Sequence, residues 1–502
     1  MHALLKMVAG TLCSRILGFL RDIIFFAVLG ASLEASAFLI AFAIPNLFRR
    51  LCGEGALNSA FIPVFAQRYV QKPASINAFL NAFFSRFGVY LGSVIFFAML
   101  FLGTMHHFLS SEKWTTVLYL MNAMLPYLWF ICMAALLNGT LNVLNAFSLT
   151  AFSPVLLNLS MLLGLGCCTF YPYPMLQVRI LSVCVILGGL LQWYLPKFQL
   201  RKHGIVLNNF SWHSDPDLKR IWYLFLPSVL GAAIFQINAM LGRFFAYVID
   251  AHAVSFLYLA NRFLELPLGL FVFSIISIIL PKLSLYNAQK DYQGAKNILI
   301  DGIQLILLLL VPASIGLYLL AQPILDLCFR WGNFSTQDIL QVVPLLKIFA
   351  LGLPIFGLTS LFTRIFYAHK DTSTPVKLSC LTLVCYILCF WILAKPYGIL
   401  SLALASVISS LVQLFFQIKI IQKHYPFYTI KASLFFGKKW LPFLFFAIAL
   451  VQINAQTTWV SEKIHGTLQI LSIVTCSILL YLLLLRLFDK KSFHTLIKLQ
   501  LN

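Results

Sequence analysis

Fourteen apolar runs, each 20 residues or longer, divide the 502-residue chain from one end to the other. An α-helix rises about 1.5 Å per residue, so about 20 apolar residues cross a hydrocarbon core about 30 Å thick. Because lipid offers no hydrogen-bonding partners, such runs must satisfy their backbone groups internally, as helices. The sequence therefore predicts an all-α polytopic membrane protein with about 14 transmembrane helices. The runs lie near residues 4–29, 35–66, 78–108, 118–142, 150–171, 174–200, 220–248, 255–284, 297–321, 339–367, 375–395, 397–421, 436–455 and 464–488.

Basic residues accumulate in alternate connecting segments. The segments after the sixth and twelfth runs and the C-terminal tail are rich in them, whereas the segment between the first two runs has none. By the positive-inside rule, this asymmetry predicts that both termini lie in the cytoplasm. Anionic headgroups of the inner leaflet account for the net charge of +21, so no nucleic-acid partner is expected. These basic residues are Lys197, Arg201, Lys202, Lys219, Arg220, Lys419, Lys423, Lys431, Lys438, Lys439, Lys490, Lys491 and Lys498.

The even number of runs and a weak internal similarity predict two halves of six spans each. Residues 34–42 read EASAFLIAF and residues 252–260 read HAVSFLYLA, and each leads into a span with arginine soon after. Six spans return the chain to its starting side, so such halves would be parallel repeats with the substrate path between them. We therefore expect an N-terminal lobe over residues 1–203, a C-terminal lobe over 204–425, and two last helices with a cytoplasmic tail over 426–502.

Several arginines fall inside the predicted spans, where each costs about 2.5–3.5 kcal/mol on insertion scales. Six of them lie in the first, second, seventh and eighth runs, and only three acids, Asp22, Glu54 and Glu265, lie near them in the sequence. In a low dielectric, the surplus of three positive charges is unfavourable without an anion or deep hydration. The six are Arg15, Arg21, Arg49, Arg50, Arg243 and Arg262.

An anionic ligand in a hydrated interior explains this surplus. Guanidinium groups bind phosphate oxygens in a bidentate geometry, so a phosphate or diphosphate headgroup is the ligand class that we favour. The alternative is that these arginines form buried ion pairs that hold helices in register. In that case Arg21 would pair with Asp22 or Glu54, and Arg262 would pair with Glu265.

The cysteines and histidines do not indicate a metal site. Many of the 11 cysteines lie in predicted spans, where thiols behave as small hydrophobes, and no CxxC pair has companion histidines. We therefore expect no metal, no cofactor and no catalytic residue. A membrane glycosyltransferase would need a carboxylate poised for acid/base chemistry and a sizeable external loop, and every loop here is short. A drug exporter for cations would need acids where this chain has arginines.

Four segments, in order along the chain, read SRILGFLRD, PNLFRRLCGEGALNSAFIPVF, LANRFLELPLG followed by ILPKLS, and FYAHKDTSTPVK. These segments closely resemble the MurJ (MviN) lipid II flippases, a family of the multidrug/oligosaccharidyl-lipid/polysaccharide exporter superfamily. The resemblance extends from the first to the eleventh run, and the last two runs match by hydropathy. It implies two six-helix lobes around a central cavity, plus two C-terminal helices that form a lipid-facing groove for a polyprenyl tail.

The resemblance also implies a substrate and a location. The substrate would be lipid II, which is undecaprenyl-diphosphate carrying the disaccharide-pentapeptide of peptidoglycan, moved from the cytoplasmic to the outer leaflet of the bacterial inner membrane. Membrane lipids are further expected ligands, and cell-wall synthesis or division proteins are the protein partners it suggests. The family's cavity residues correspond to Arg15, Arg21, Asp22, Arg49, Arg50, Glu54 and Arg262, and further candidates are Asn46, Arg243 and Glu265.

The chain departs from the family at positions that bear on energy coupling. Ser36 and Asn261 stand where many members carry acids, and Gly242 stands where sodium-binding members have an acid in the seventh span. The eleventh and twelfth runs contain no Asp or Glu. A sodium site is therefore not expected. The membrane potential, worth about 2.3 kcal/mol per charge per 100 mV, protons, or another cation are the alternatives for coupling.

Overall fold

A computed structural model describes residues 2–49, 56–144, 146–213, 215–428, 441–456 and 463–488. Over these ranges the chain is built from α-helices and short helical turns, and it contains no β-strand. The helices are α1 (His2–Leu29), α2 (Leu33–Arg49), α3 (Ala56–Gln71), α4 (Ile76–Phe108), α5 (Glu112–Val143), α6 (Phe147–Cys168), α7 (Pro174–Lys202), α8 (Pro216–Ile249), α9 (Ala253–Pro267), α10 (Phe273–Ala288), α11 (Tyr292–Leu319), α12 (Ala321–Phe329), α13 (Thr336–Ala368), α14 (Ser373–Tyr397), α15 (Leu400–His424), α16 (Leu441–Gln456) and α17 (Lys463–Phe488).

Where the structure describes them, the predicted apolar runs coincide with helices, which confirms the all-α membrane fold. The second run falls on α2 and α3, and residues 50–55 lie outside the described ranges. The eighth run falls on α9 and α10, which are joined by a π-helical turn (Leu268–Val272) directly after Pro267, a residue that cannot donate a backbone hydrogen bond. In the described part of the chain, eight helical segments are long and apolar enough to cross a membrane.

The short helix α12 was not predicted. It has 9 residues, so it extends only about 14 Å and cannot cross a bilayer by itself. Its sequence, AQPILDLCF, begins where the ninth apolar run ends, and Gln322, Pro323 and Asp326 interrupt its apolar residues. A length criterion of about 20 residues cannot detect such a helix.

The chain packs as two compact units, Met1–Ser255 with Trp331–Phe334, and Phe256–Arg330 with Ser335–Asn502. In the first unit α5 packs against α2, α4 and α7, α6 packs against α1 and α7, and α8 packs against α3. In the second unit α13 contacts α11 and α15, α14 contacts α15, and α16 contacts α11 and α17. The six-helix lobes expected over 1–203 and 204–425 stay a prediction.

The C-terminal end of α1 is held by a short segment that follows α12. Asn333 donates its backbone N–H to the carbonyl oxygen of Ala27 (2.8 Å) and its side-chain amide to that of Val28 (2.6 Å). These bonds satisfy carbonyls that a helix end leaves without intrahelical partners. Gly332 has a φ of +54°, and a Cβ at this position would collide with the Ala27 carbonyl group. The segment therefore fixes α1, the helix that carries the first two candidate arginines.

The segment that joins α7 to α8 runs along α4, whose side chains form hydrogen bonds with the backbone of the segment. Asn77 and Asn81, one turn apart on α4, donate their amide N–H groups to the carbonyl oxygens of Gly204 (3.2 Å) and Val206 (2.9 Å). Their amide oxygens accept from the backbone N–H groups of Val206 (3.3 Å) and Asn209 (3.2 Å). Side chains four residues apart share a helix face, so one polar stripe satisfies this connecting backbone.

Arg68 of α3 binds the start of α8. Its Nη1 lies 2.6 Å from Oδ2 of Asp215 and 2.8 Å from Oδ2 of Asp217, and its Nε donates to Oγ of Ser75 (3.2 Å). The guanidinium also lies over the Phe79 ring, 4.6 Å from its centroid. Asp215 caps α8 by accepting the backbone N–H of Asp217 (2.9 Å). One cation is thus shared by two carboxylates at a helix start, where the helix dipole favours the remaining negative charge.

Replacing Arg68 by methionine is expected to destabilise the first unit, because Asp215 and Asp217 lose the cation that they share. Removing one partner of a buried ion pair costs about 3–5 kcal/mol of unfolding free energy. Because Asp217 is partly exposed, we expect a loss of about 3 kcal/mol. Thermal unfolding in detergent micelles measures this loss. Arg220→Met is the matched control, since Arg220 makes an exposed contact with Gln67. Equal melting temperatures for wild type and Arg68→Met would contradict the prediction.

The FYAHKDTSTPVK motif forms the turn between α13 and α14. Lys370 has a φ of +61°, which reverses the chain, and Oδ1 of Asp371 accepts the backbone N–H groups of Ser373 (3.0 Å) and Thr374 (3.0 Å). Burial lowers the pKa of His369, the residue that follows α13. The motif therefore has a structural explanation in the second unit: an acidic side chain starts α14.

Candidate functional site

Arg21 of α1 is held in a buried polar cluster. Its Nη2 and Nε donate to Oδ1 of Asp22 (2.6 and 3.1 Å), and its Nη1 donates to Oδ1 of Asn158 (3.2 Å) and approaches Sδ of Met161 (3.7 Å). The Arg21 side chain is 12% exposed and that of Asp22 is 3% exposed. Asn158 in turn donates to the carbonyl oxygen of Ser14 (3.1 Å). The guanidinium plane is thus fixed from two sides, by its own helix and by α6.

This cluster contains one of the pairs expected under the ion-pair alternative, Arg21 with Asp22. The Asp22 carboxylate offsets the charge of Arg21, and it also orients the N–H donors of the guanidinium group. The pair is therefore compatible both with a structural role for Arg21 and with a role in binding a ligand. Asn158 was missed by sequence reasoning. Its side-chain amide lies in the middle of an apolar run, and polar side chains within spans usually form hydrogen bonds with other helices. That position would have been enough to predict an interhelical contact.

The other candidates of the first unit lie on three helices. Arg15 is exposed on α1, and Arg49 is half-buried at the last residue of α2. Asn46 donates its side-chain amide to the carbonyl oxygen of Phe42 (3.1 Å), so this amide is engaged within its own helix. Arg243 is half-buried on α8. Two further predicted residues, Arg50 and Glu54, lie outside the described residues.

Arg21 and Arg49 act on one buried side chain, Tyr127 of α5. Both guanidinium groups lie within electrostatic range of the Tyr127 hydroxyl. The structure thus brings two predicted arginines, from α1 and α2, to the same part of the first unit. Tyr127 was not among the predicted residues, because a tyrosine in an apolar run is usually explained by helix packing.

In the second unit, Arg262 and Glu265 lie three residues apart on α9. Nη1 of Arg262 is 3.9 Å from Oε2 of Glu265, with side-chain exposures of 24% and 61%. An ion pair of this length and exposure contributes about 0–1 kcal/mol. The predicted pair is therefore present, but Glu265 is a weak partner for the charge of Arg262.

Metal-binding residues do not cluster within the described ranges: no three His, Cys, Asp or Glu side chains there are placed to hold an ion. The described free cysteines include Cys385 and Cys389, whose sulfur atoms lie 3.9 Å apart on α14. The expectation of no metal and no cofactor stays a prediction.

Comparison with known proteins identifies the family. The family model described as "Lipid II flippase MurJ" matches residues 25–479. A probable lipid II flippase MurJ of Bdellovibrio bacteriovorus is 32% identical over 436 residues, covering 84% of this chain and 82% of its own length. A protein of the same description from Vibrio cholerae is 33% identical over 420 residues, covering 80% and 79%.

Two solved structures share the fold. A lipid II flippase MurJ in an inward closed conformation aligns with a TM-score of 0.80 at 24% identity, covering 96% of this chain and 98% of that one. An inward-facing multidrug resistance transporter of the MATE family, in the MOP superfamily, aligns with a TM-score of 0.68 at 13% identity, covering 82% and 96%. Together with the all-α membrane fold and the arginines placed on α1, α2 and α9, these matches establish that the chain belongs to the MurJ family of lipid II flippases.

Proposed function

We propose that this protein moves lipid II from the cytoplasmic to the outer leaflet of the bacterial inner membrane, with both of its termini in the cytoplasm. The observation that carries the proposal is the family match over residues 25–479, in a chain that keeps arginines inside its apolar helices. Lipid II has a diphosphate between its polyprenyl tail and its sugars. Such a headgroup needs cations along its path, because an unpaired charge is costly within a membrane.

The proposed headgroup ligands are the guanidinium groups of the family-matched arginines. Arginine suits a diphosphate because its planar donors match two phosphate oxygens at once. Asp22 and Asn158 support this role by holding the Arg21 plane in one orientation, which reduces the ordering needed on binding. We leave Asn46 and Glu265 out of the ligand set, since Asn46 binds its own helix and an exposed acid repels an anion. The proposed set is Arg15, Arg21, Arg49, Arg50 and Arg262, with Asp22 and Glu54 as acidic neighbours and Arg243 as a further cation.

We propose that transport proceeds by alternating access. The diphosphate binds while the site is open to the cytoplasm and the tail stays in lipid, and a change of conformation then exposes the headgroup to the outside. The fold that this chain shares with an inward-facing MATE-family transporter supports this scheme. The reaction breaks and forms no covalent bond, so the protein acts as a transporter and not as an enzyme.

Export of cationic drugs is the competing function for a MATE-like fold. A cationic drug would meet Arg21 and Arg49 near Tyr127, and like charges disfavour its binding. The arginines therefore favour an anionic substrate over a cationic one.

Complementation tests the proposal. In a bacterium whose own MurJ-family flippase can be depleted, expression of this protein should restore growth and should let an externally added lipid II probe reach its target at the outer leaflet. Empty vector is the control for depletion, and immunoblotting of membranes is the control for expression. Normal membrane levels without restored access to lipid II would remove the flippase assignment.

A further inference from the structure

Tyr127 has a buried hydroxyl group that lacks a hydrogen-bond partner in the described part of the chain. Its side chain is 0% exposed. Other buried tyrosines donate their hydroxyl groups: Tyr247 donates to the carbonyl oxygen of Lys113 (2.6 Å), and Tyr428 donates to Oδ1 of Asn287 (3.1 Å). Burying a hydroxyl without a partner is unfavourable, so such a group needs an explanation.

The position of the Tyr127 ring is set by helices on both sides of α5. The ring lies 6.2 Å from that of Phe42 on α2, measured between centroids, at an interplanar angle of 32°. On the other side it packs against Gly189 of α7, where an added Cβ would collide with the ring. The glycine thus makes the room that the aromatic ring occupies. A phenylalanine would fill the same space, so packing explains the ring but not the hydroxyl group.

Two guanidinium groups lie within electrostatic range of this hydroxyl. They belong to Arg49, on the same helix as the neighbouring Phe42, and to Arg21, which Asp22 and Asn158 orient. A guanidinium has N–H donors and no acceptor, so neither arginine can receive the phenolic hydrogen. An anionic oxygen bound by the two arginines could accept from the phenol as well.

We propose that Tyr127 is a further headgroup ligand, whose hydroxyl group donates a hydrogen bond to a diphosphate oxygen that Arg21 and Arg49 also bind. The inference rests on the proposed function, and it adds a neutral donor from α5 to the family-matched arginines. A phenolic donor is directional, so it fixes the position of one phosphate oxygen where the arginines supply charge. Without substrate, the described residues offer this hydroxyl no partner, so its burial lowers stability and a bound phosphate oxygen would relieve that cost.

Tyr127→Phe tests this inference, because it removes the hydroxyl group and keeps the ring. Equilibrium binding of undecaprenyl diphosphate to the purified full chain in lipid nanodiscs should weaken about tenfold, or about 1.4 kcal/mol. The melting temperature without ligand should stay unchanged or rise, since an unpaired buried polar group is removed. Tyr428→Phe is the matched control: it should lower the melting temperature, because it breaks the bond to Asn287, and leave the affinity unchanged.

The outcomes separate this inference from the proposed function. Wild-type affinity in Tyr127→Phe would overturn the inference and leave the flippase assignment intact. An equal loss of affinity for undecaprenol, which lacks phosphate, would also overturn it, because the hydroxyl would then act on the tail. Failure of the wild-type protein to bind undecaprenyl diphosphate would remove the proposed function and the inference together.

Discussion

Arg21→Ala is expected to abolish lipid II transport. Arg21 is 12% exposed and is held by Asp22 and Asn158, so its guanidinium is already oriented for a ligand. Truncating one member of a buried, charge-assisted contact costs about 2–5 kcal/mol, or about 30-fold to several thousand-fold in affinity. The measurement is the rate at which lipid II becomes accessible to an external probe in proteoliposomes. Arg179→Ala is the matched control, since Arg179 is an exposed arginine of the same unit that lies over the Tyr119 ring.

A double variant distinguishes ligand binding from a purely structural ion pair. Arg21→Ala removes a cation that contacts the buried Asp22, and that defect alone could impair folding. Arg21→Ala/Asp22→Ala removes both charges. If the pair serves only to hold the helices, the double variant should recover transport along with its melting temperature. We expect it to regain stability and to stay inactive. Recovery of transport would contradict the role of Arg21 in headgroup binding.

Arg262→Ala is expected to cause a loss of transport of similar size, with little change in stability. Its guanidinium lies 3.9 Å from the carboxylate of the exposed Glu265, and a pair of this kind contributes about 0–1 kcal/mol to folding. The melting temperature of the variant should therefore stay within a few degrees of wild type. Complementation of a depleted strain and membrane levels of the protein measure the two effects separately.

Glu265→Gln separates the two explanations of Arg262. It removes the acid and keeps a side chain of nearly the same size. If Arg262 acts through its pair with Glu265, this change should reproduce the loss seen in Arg262→Ala. If Arg262 binds an anion, Glu265→Gln should transport normally, and equal defects in the two variants would argue against anion binding.

Much of the fold follows from the length of the apolar runs. The hydrocarbon thickness sets the length of a spanning helix, so each run predicts a helix without knowledge of its neighbours. The break after Pro267 was not predicted, because it occurs within a continuous apolar run. The nine-residue α12 was not predicted, because it follows the ninth run and is too short for a criterion based on spanning length. The polar stripe of Asn77 and Asn81 was also missed, since its partners are backbone atoms of a connecting segment more than 120 residues later.

The charged part of the site was predictable, and its neutral part was not. An arginine inside an apolar run stands out because of its insertion cost, whereas an asparagine or a tyrosine is common in membrane helices. Asn158 contacts Arg21 across 137 residues of sequence. Tyr127 is a candidate because its buried hydroxyl has no hydrogen-bond partner among the described residues and lies within electrostatic range of two arginines. These contacts and this burial arise from the packing of helices against one another, and a hydropathy pattern does not predict which helices pack together.

The most direct measurement compares the binding of undecaprenyl diphosphate and undecaprenol, which share a tail and differ in charge. Wild-type protein in nanodiscs should bind the diphosphate far more tightly than the alcohol. Arg21→Ala and Arg49→Ala should reduce binding of the diphosphate and leave binding of the alcohol unchanged. Equal affinity of the wild type for the two lipids, or undiminished diphosphate binding by both variants, would contradict the proposal that arginines within the membrane hold the headgroup.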